Sequence, residues 1–221
     1  MAYSHVRYKN IDVSYQPELD GGGMDFGQEY IWVLEEKFGR VGHVFEFCAG
    51  PGFIGFSLLA HGLCDRLTVA DINPEAVEAC RVTVKENGLE SKVAVYQSDC
   101  LDDIPQSEKW DLIVSNPPHW RSGEDAYVRD KRMWDPDLRI HEKFYRSVRP
   151  YLKSGGAILM QENGSATKAG DFTQMIEGNR LELKEEFKAR PISWLRCLLE
   201  GRRFKYSRPS QYYYLLIRPA Q

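Results

Sequence analysis

The chain has 221 residues, 43% hydrophobic and 28% charged, enough to bury a full core without staples and too few for a multi-domain machine. Its apolar runs are far shorter than the roughly 20 residues of a membrane-spanning helix, and Met1-Ala2-Tyr3-Ser4-His5 lacks a basic-then-apolar leader, so a cytoplasmic protein is expected. Five cysteines (48, 64, 80, 100 and 197) form no Cys-x-x-Cys pair and have no histidine at metal-ligand spacing, which reads as reduced thiols and no metal site. The net charge of −3 conceals an asymmetry: residues 188–221 hold eight Lys/Arg against Glu200, a local +7, which leaves −10 for residues 1–187. That basic end is a candidate contact for an anionic partner; the plainer alternative is basic side chains dispersed along a sheet edge.

In chain order, Tyr30 to Phe38 reads as a helix behind the glycine-rich stretch 20–29. Val44–Phe47 is the first strand of an alternating series, followed by the turn Cys48-Ala49-Gly50-Pro51-Gly52 and a helix from Phe53 to His61. Leu67–Ala70 is the second strand, stopping at Asp71. Asn73-Pro74 then opens a helix as cap and first-turn proline, Val77, Cys80 and Val84 share one face, and Asn87-Gly88 closes it. Val93–Tyr96 and Asp111–Ser115 are strands three and four, the latter ended by Pro117-Pro118. Residues 119–136 form a long polar loop of the kind that covers a site. Asp137 is a candidate cap for a helix reaching about Lys153, with His141, Tyr145, Val148 and Leu152 on one stripe. Ala157–Met160 is a strand, a helix over about 166–177 follows, and strands near 181–187 and 211–218 form an antiparallel pair; Pro191 to Gly201 has no clear assignment. Such alternation is the signature of an α/β, doubly wound, mostly parallel seven-stranded sheet with an antiparallel C-terminal hairpin.

A glycine-rich turn between a first strand and its helix lets backbone approach a ligand, and an acid after strand two, here Asp71, stands where a carboxylate grips ribose hydroxyls. A dinucleotide site would wrap a pyrophosphate, which Glu46 would repel; a cofactor carrying an ammonium and a sulfonium would welcome that acid. The run Glu46-Phe47-Cys48-Ala49-Gly50-Pro51-Gly52 resembles the first motif of class I S-adenosylmethionine (SAM)-dependent methyltransferases, with Cys48 in place of a glycine. The resemblance covers about residues 41–162 and implies a Rossmann-like fold and SAM as cofactor. It implies cofactor contacts from Glu46, Cys48, Gly50, Gly52, Asp71, Ile72, Asp99, Cys100 and Asn116, the pair Asp99-Cys100 lying where the family sets an acid against the adenine amine.

Asn116-Pro117-Pro118-His119-Trp120 is the most specific feature. It resembles the (D/N/S)-P-P-(Y/F) signature of methyltransferases acting on a nitrogen conjugated to a π system, either an amide or an exocyclic amine. Such a nitrogen is a poor nucleophile, so its N–H groups must be held by acceptors; the Asn116 side chain and the Pro117 carbonyl suit that catalytic task. Pro118, His119 and Trp120 are the remaining candidate substrate contacts. His119 departs from the usual aromatic residue; it either meets the substrate or is satisfied by its own neighbourhood, and Trp120 is the alternative stacking platform.

The resemblance implies that residues 1–40 cover cofactor and substrate, with Phe26, Gln28 or Glu29 as candidates to face the site, and that 41–221 form the methyltransferase domain; a flexible linker capped by a helix is the alternative reading of the N-terminal segment. Tyr212, Tyr213 and Tyr214 read as core rather than a base-stacking surface. The expected function is SAM-dependent N-methylation of a protein or RNA, with a small amide or amine metabolite as the alternative acceptor. A non-catalytic SAM-fold module is a second hypothesis, and an NAD(P)-linked oxidoreductase a third.

Overall fold

The structure, a computed structural model, describes residues 2–121, 123–188 and 211–220; the side chain of Phe26 lies outside the described set. β1 (Ser4–Tyr8) and β2 (Ile11–Tyr15) pair as an antiparallel hairpin, followed by α1 (Gly23–Phe26) and α2 (Glu29–Lys37). The core then alternates: β3 (Val41–Phe47), α3 (Phe53–Ala60), β4 (Cys64–Asp71), α4 (Pro74–Glu86), β5 (Val93–Gln97) and β6 (Trp110–Ser115). After α5 (Glu124–Arg129) come α6 (Arg139–Val148), β7 (Leu152–Asn163), α7 (Thr173–Gly178), β8 (Leu181–Phe187) and β9 (Tyr212–Pro219).

The main sheet has seven strands in the order β5-β4-β3-β6-β7-β9-β8. Strands β3 to β7 are parallel to one another, and β9 runs antiparallel between β7 and β8. The expected doubly wound sheet with its antiparallel C-terminal pair is therefore what forms. Its order reverses between β3 and β6, and at that switch point the connections lead to helices on opposite faces, α3 on one and α6 on the other, leaving a crevice outside the carboxyl ends.

Alternation along the strands sends side chains to two cores. Val44, Leu112 and Leu159 pack with Ile31, Leu34, Phe56 and Val84 of the flanking helices on one face. Phe45, Ile113 and Ile158 pack with Phe144, Tyr145 and Ile176 on the other. Tyr213 and Tyr214 are core residues, one on each face. Helix α4 is built as its sequence dictates: the Asn73 side chain accepts from the Glu75 amide at 2.9 Å, Pro74 follows, and Gly88 adopts φ +62° after the last turn.

Three expectations are corrected. Asp137 does not cap α6; its backbone is left-handed (φ 52°), and the Asp135 carboxylate accepts from the Ile140 and His141 amides instead. That helix ends at Val148 rather than near Lys153, because Pro150 lacks the amide to continue it, and Leu152 opens β7. The 166–177 segment divides into a 3₁₀ turn, Ala169–Phe172, and the short α7. The β1–β2 hairpin is an addition that the period-two runs on either side of Lys9-Asn10 signal. It docks on α4 through paired bonds, the Asp12 amide donating to Asn87 Oδ1 and Asn87 Nδ2 to the Asp12 carbonyl, each at 2.9 Å. The segment 191–201 lies outside the described residues.

On the second face Trp110 stacks between Phe45 (centroids 4.0 Å) and Tyr151 (5.0 Å), and its indole N–H donates to Glu108. Trp110→Ala should lower unfolding stability by about 3–5 kcal/mol, read as a drop in urea midpoint at unchanged slope.

Candidate active site

The carboxyl ends of β3, β4 and β6 stop at one level, since Phe47 lies opposite both Ala70 and Ser115. The turns that leave them surround a single cleft. From the end of β3 and its turn the cleft receives Glu46, Cys48 and Gly50; from the end of β4, Asp71 and Ile72; after β5, Asp99 and Cys100; and after β6, Asn116 and Pro118. Nine of the sequence-predicted residues thus come together.

The first turn winds through three left-handed residues, Cys48 (φ 52°), Gly50 (φ 52°) and Gly52 (φ 81°). A non-glycine residue costs about 1–2 kcal/mol in that conformation, which explains why glycine is the usual occupant where this chain has Cys48. Gly52 does not line the cleft. It faces the core, where an added Cβ would meet the Phe56 ring at 2.7 Å. The Asp71 carboxylate ties the first two turns together, accepting from the Gly50 amide at 2.7 Å through one oxygen and from the Asn73 amide at 2.8 Å through the other.

Glu46 is 2% exposed at the start of α3, where it accepts from the Gly55 amide (2.7 Å) and the Ile54 amide (3.3 Å). Burial outweighs these bonds and pushes its carboxyl up to about 8. Burial raises Asp71 too, against three backbone bonds that lower it. Asp99 is more open and pairs with Lys143 at 2.7 Å.

The loop after β6 departs from expectation. Pro117 is buried and, unlike Asn116 and Pro118 on either side of it, is not among the residues lining the cleft. His119, 6% exposed, turns away from the cleft: its Nε2 lies 3.0 Å from Asn116 Oδ1 and its Nδ1 3.2 Å from Glu162 Oε2. Trp120 is held by backbone bonds, its amide donating to the Met133 carbonyl (3.0 Å) and its carbonyl accepting from Asp135 (2.9 Å). Its ring sits 6.5 Å from that of Trp134 and is likewise absent from the cleft lining. The aromatic residue that lines the cleft from this loop is Tyr127, accompanied by Lys131 and Arg132.

From the N-terminal segment the cleft is lined by Leu19, Gly21 and Gly23, not by Gln28 or Glu29; Glu29 instead accepts from the Tyr214 hydroxyl at 3.2 Å. Arg132, held by Asp130, donates to the carbonyls of Glu18 and Asp20, so the 119–136 loop and the N-terminal segment meet over the cleft. No local periodicity marks these residues in the sequence; only the length of the loop does.

The glycine-containing turn, the acids and the Asn-Pro-Pro loop lie together where a doubly wound sheet binds its ligand. The chain matches the family described as methyltransferase small domain over residues 21–168. It is 27% identical over 173 residues to a release factor glutamine methyltransferase of Clostridium acetobutylicum, covering 72% of this chain and 58% of that one. It is 32% identical over 127 residues to a ribosomal RNA small subunit methyltransferase C of Haemophilus influenzae, covering 57% of this chain and 37% of that one. The chain thus spans about half the length of the curated relatives it matches. The solved Thermus thermophilus 16S rRNA N2 G1207 methyltransferase, in complex with AdoMet and guanosine, superposes with a TM-score of 0.62 at 14% identity over 99% of this chain and 50% of that one. With the match reaching from the covering segment through the Asn-Pro-Pro loop to the end of β7, the chain belongs to the methyltransferase small-domain family, whose fold and cofactor are those of the SAM-dependent methyltransferases.

Proposed function

We propose that this protein is a SAM-dependent N-methyltransferase acting on a planar nitrogen, an amide or an exocyclic amine, of a protein or RNA. The observation that carries the reading is one cleft, lined by Glu46, Asp71 and Asp99, that ends at Asn116 and Pro118. The donor set fits a cationic nucleoside cofactor. Among the described residues Glu46 is a buried acid with no basic side chain as a hydrogen-bond partner, so a cation beside it would restore its ionised form; Asp71, with both oxygens oriented by amides, would receive ribose hydroxyls. Asp99, Ile72 and Cys100 border the adenine end in this assignment, and Gly50 lets backbone approach. When bound, the cofactor supplies an electrophilic methyl group on a sulfonium.

The protein's own task is to make a delocalised nitrogen lone pair available. Acceptors on the Asn116 side chain and the Pro117 carbonyl hold its N–H groups and stabilise positive charge developing there, and the two prolines fix their directions. Residues 1–40 serve as the covering segment of a domain formed by 41–221, a role that Leu19, Gly21 and Gly23 support by lining the cleft. A protein or RNA acceptor matches the printed functions of the relatives, which name release factors, a ribosomal protein and ribosomal RNA. Of the basic end proposed to meet an anionic partner, Arg190, Arg196, Arg202, Arg203, Lys205 and Arg208 lie outside the described residues. Arg218 bonds the Gly155 carbonyl at the sheet end remote from the cleft. Among the described residues no helix is long and apolar enough to cross a membrane, and cytoplasmic placement is part of the same proposal.

Incubating the protein with methyl-labelled SAM and fractionated extract should label a protein or RNA fraction, whereas label confined to small metabolites would overturn the macromolecular acceptor. Asn116→Ala should lower turnover at least about 100-fold while cofactor affinity by calorimetry stays within about threefold. Turnover that survives would remove Asn116 from its assigned role.

A second prediction concerns pH. Between its usual 4.5 and about 8 the folded protein keeps the Glu46 proton that the unfolded chain releases, so stability without cofactor should fall as pH rises through that window. SAM affinity should rise over the same range, by up to about tenfold per unit. Glu46→Gln should flatten both trends.

A further inference from the structure

Behind the cleft wall lies an unbroken file of titratable side chains. Asp135 Oδ2 is 2.6 Å from His141 Nδ1, His141 Nε2 is 2.8 Å from Glu162 Oε1, and Glu162 Oε2 is 3.2 Å from His119 Nδ1. His119 Nε2 then lies 3.0 Å from the Asn116 side chain. Asp135, His141 and Glu162 are fully buried, and Thr167 donates to Glu162 at 3.1 Å.

Two carboxylates flank His141, so both of its nitrogens carry protons. Burial alone would favour the neutral ring, but Glu162 and Asp135 raise its basicity above the ordinary value, and His141 in turn holds Glu162 ionised. An ionised carboxylate only accepts hydrogen bonds, so the Glu162 contact requires a proton on His119 Nδ1 in either charge state. The variable site is Nε2. When it is bare, Asn116 must turn its NH₂ group toward it; when it is protonated, Asn116 must offer its carbonyl. Protonating His119 and rotating the Asn116 amide are therefore one event.

We propose that His119 is a positioning residue that, when neutral, turns the Asn116 carbonyl toward the cleft to receive the acceptor N–H, and when protonated withdraws it. This rests on the role assigned to Asn116 above. His119 faces Glu162 of β7 at Nδ1, Asn116 at Nε2 and the Tyr212 ring of β9, 5.7 Å away and edge-on; Glu162 is itself backed by His141 of α6, with Asp135 behind it, and by the Thr167 hydroxyl. The tyrosine or phenylalanine usual at this position has no group that titrates near neutral pH, so the switch belongs to this chain's departure from the motif.

The test is a ¹⁵N-histidine and side-chain amide NMR titration of the full chain saturated with S-adenosylhomocysteine, from pH 5 to 9, with His119 assigned by His119→Phe. His119 Nδ1 should stay protonated throughout, Nε2 should lose its proton in one step, and the Asn116 NH₂ resonances should move with the same midpoint. Glu162→Gln should uncouple the two signals, because its amide can also donate to a ring lacking the Nδ1 proton and no longer fixes that proton in place. Asn116→Asp, at a half-buried loop position, should keep Nε2 protonated to higher pH, because a carboxylate there only accepts. Methyl transfer to the labelled fraction should show an acid limb at the wild-type midpoint. That limb should be lost in His119→Phe, whose remaining rate should be at least about tenfold lower at high pH.

A His119 titration that leaves the Asn116 amide unmoved, a midpoint outside the scanned range, or a His119→Phe enzyme with wild-type rate and acid limb would each overturn the proposal. If the coupled titration appears and no fraction accepts methyl, the acceptor reading fails and the coupling stands.

Discussion

Phe47 lies opposite Ala70 on one neighbouring strand and Ser115 on the other, and this shared register decides where the chemistry sits. Because the three strands end together, the chain leaves the sheet at Cys48, Asp71 and Asn116 at one height, and short side chains from distant stretches can meet. Moving one strand by a residue would carry its polar terminus out of the cleft and exchange its side chains between the two cores, where neither set fits. The register in turn rests on the packed strand interiors, Val44 to Phe47 and Leu112 to Ser115, all buried. Precision at the cleft is thus inherited from apolar packing beneath it.

Polar groups at the cleft are held against their own preference. Glu46 occupies a site where burial disfavours its charge, and Asp71 spends both oxygens on turn amides while facing the cleft. Natural sequences tolerate such local conflict where a ligand relieves it. The Asp135–His141–Glu162 file resolves the same problem internally, by alternating acid and base so that every buried charge has a partner.

What the sequence discloses depends on how local the information is. Helix α4 is legible because its cap, first-turn proline, apolar stripe and closing glycine lie within Asn73–Gly88. The seven sheet strands are legible from short apolar runs, and the cleft from turns that follow them. The environment of His119 is not, since its partner Glu162 is 43 residues away and nothing near either announces the pairing. The cap of α6 illustrates a subtler limit: Asp135 and Asp137 are equally plausible by residue type, and only backbone conformation selects Asp135. Trp120 reads as a platform by its place in the motif, but a backbone bridge to the far end of its loop commits it elsewhere.

The docking of the N-terminal hairpin carries a consequence for biogenesis. Asp12 and Ser14 are held by Asn87 and Thr83, across separations of 75 and 69 residues. A ribosome must therefore release the chain beyond α4 before the hairpin can make these bonds. Leu19, Gly21 and Gly23 follow that hairpin directly, so one wall of the cleft is made early in synthesis and is seated in full only after β3, β4 and their two helices have emerged.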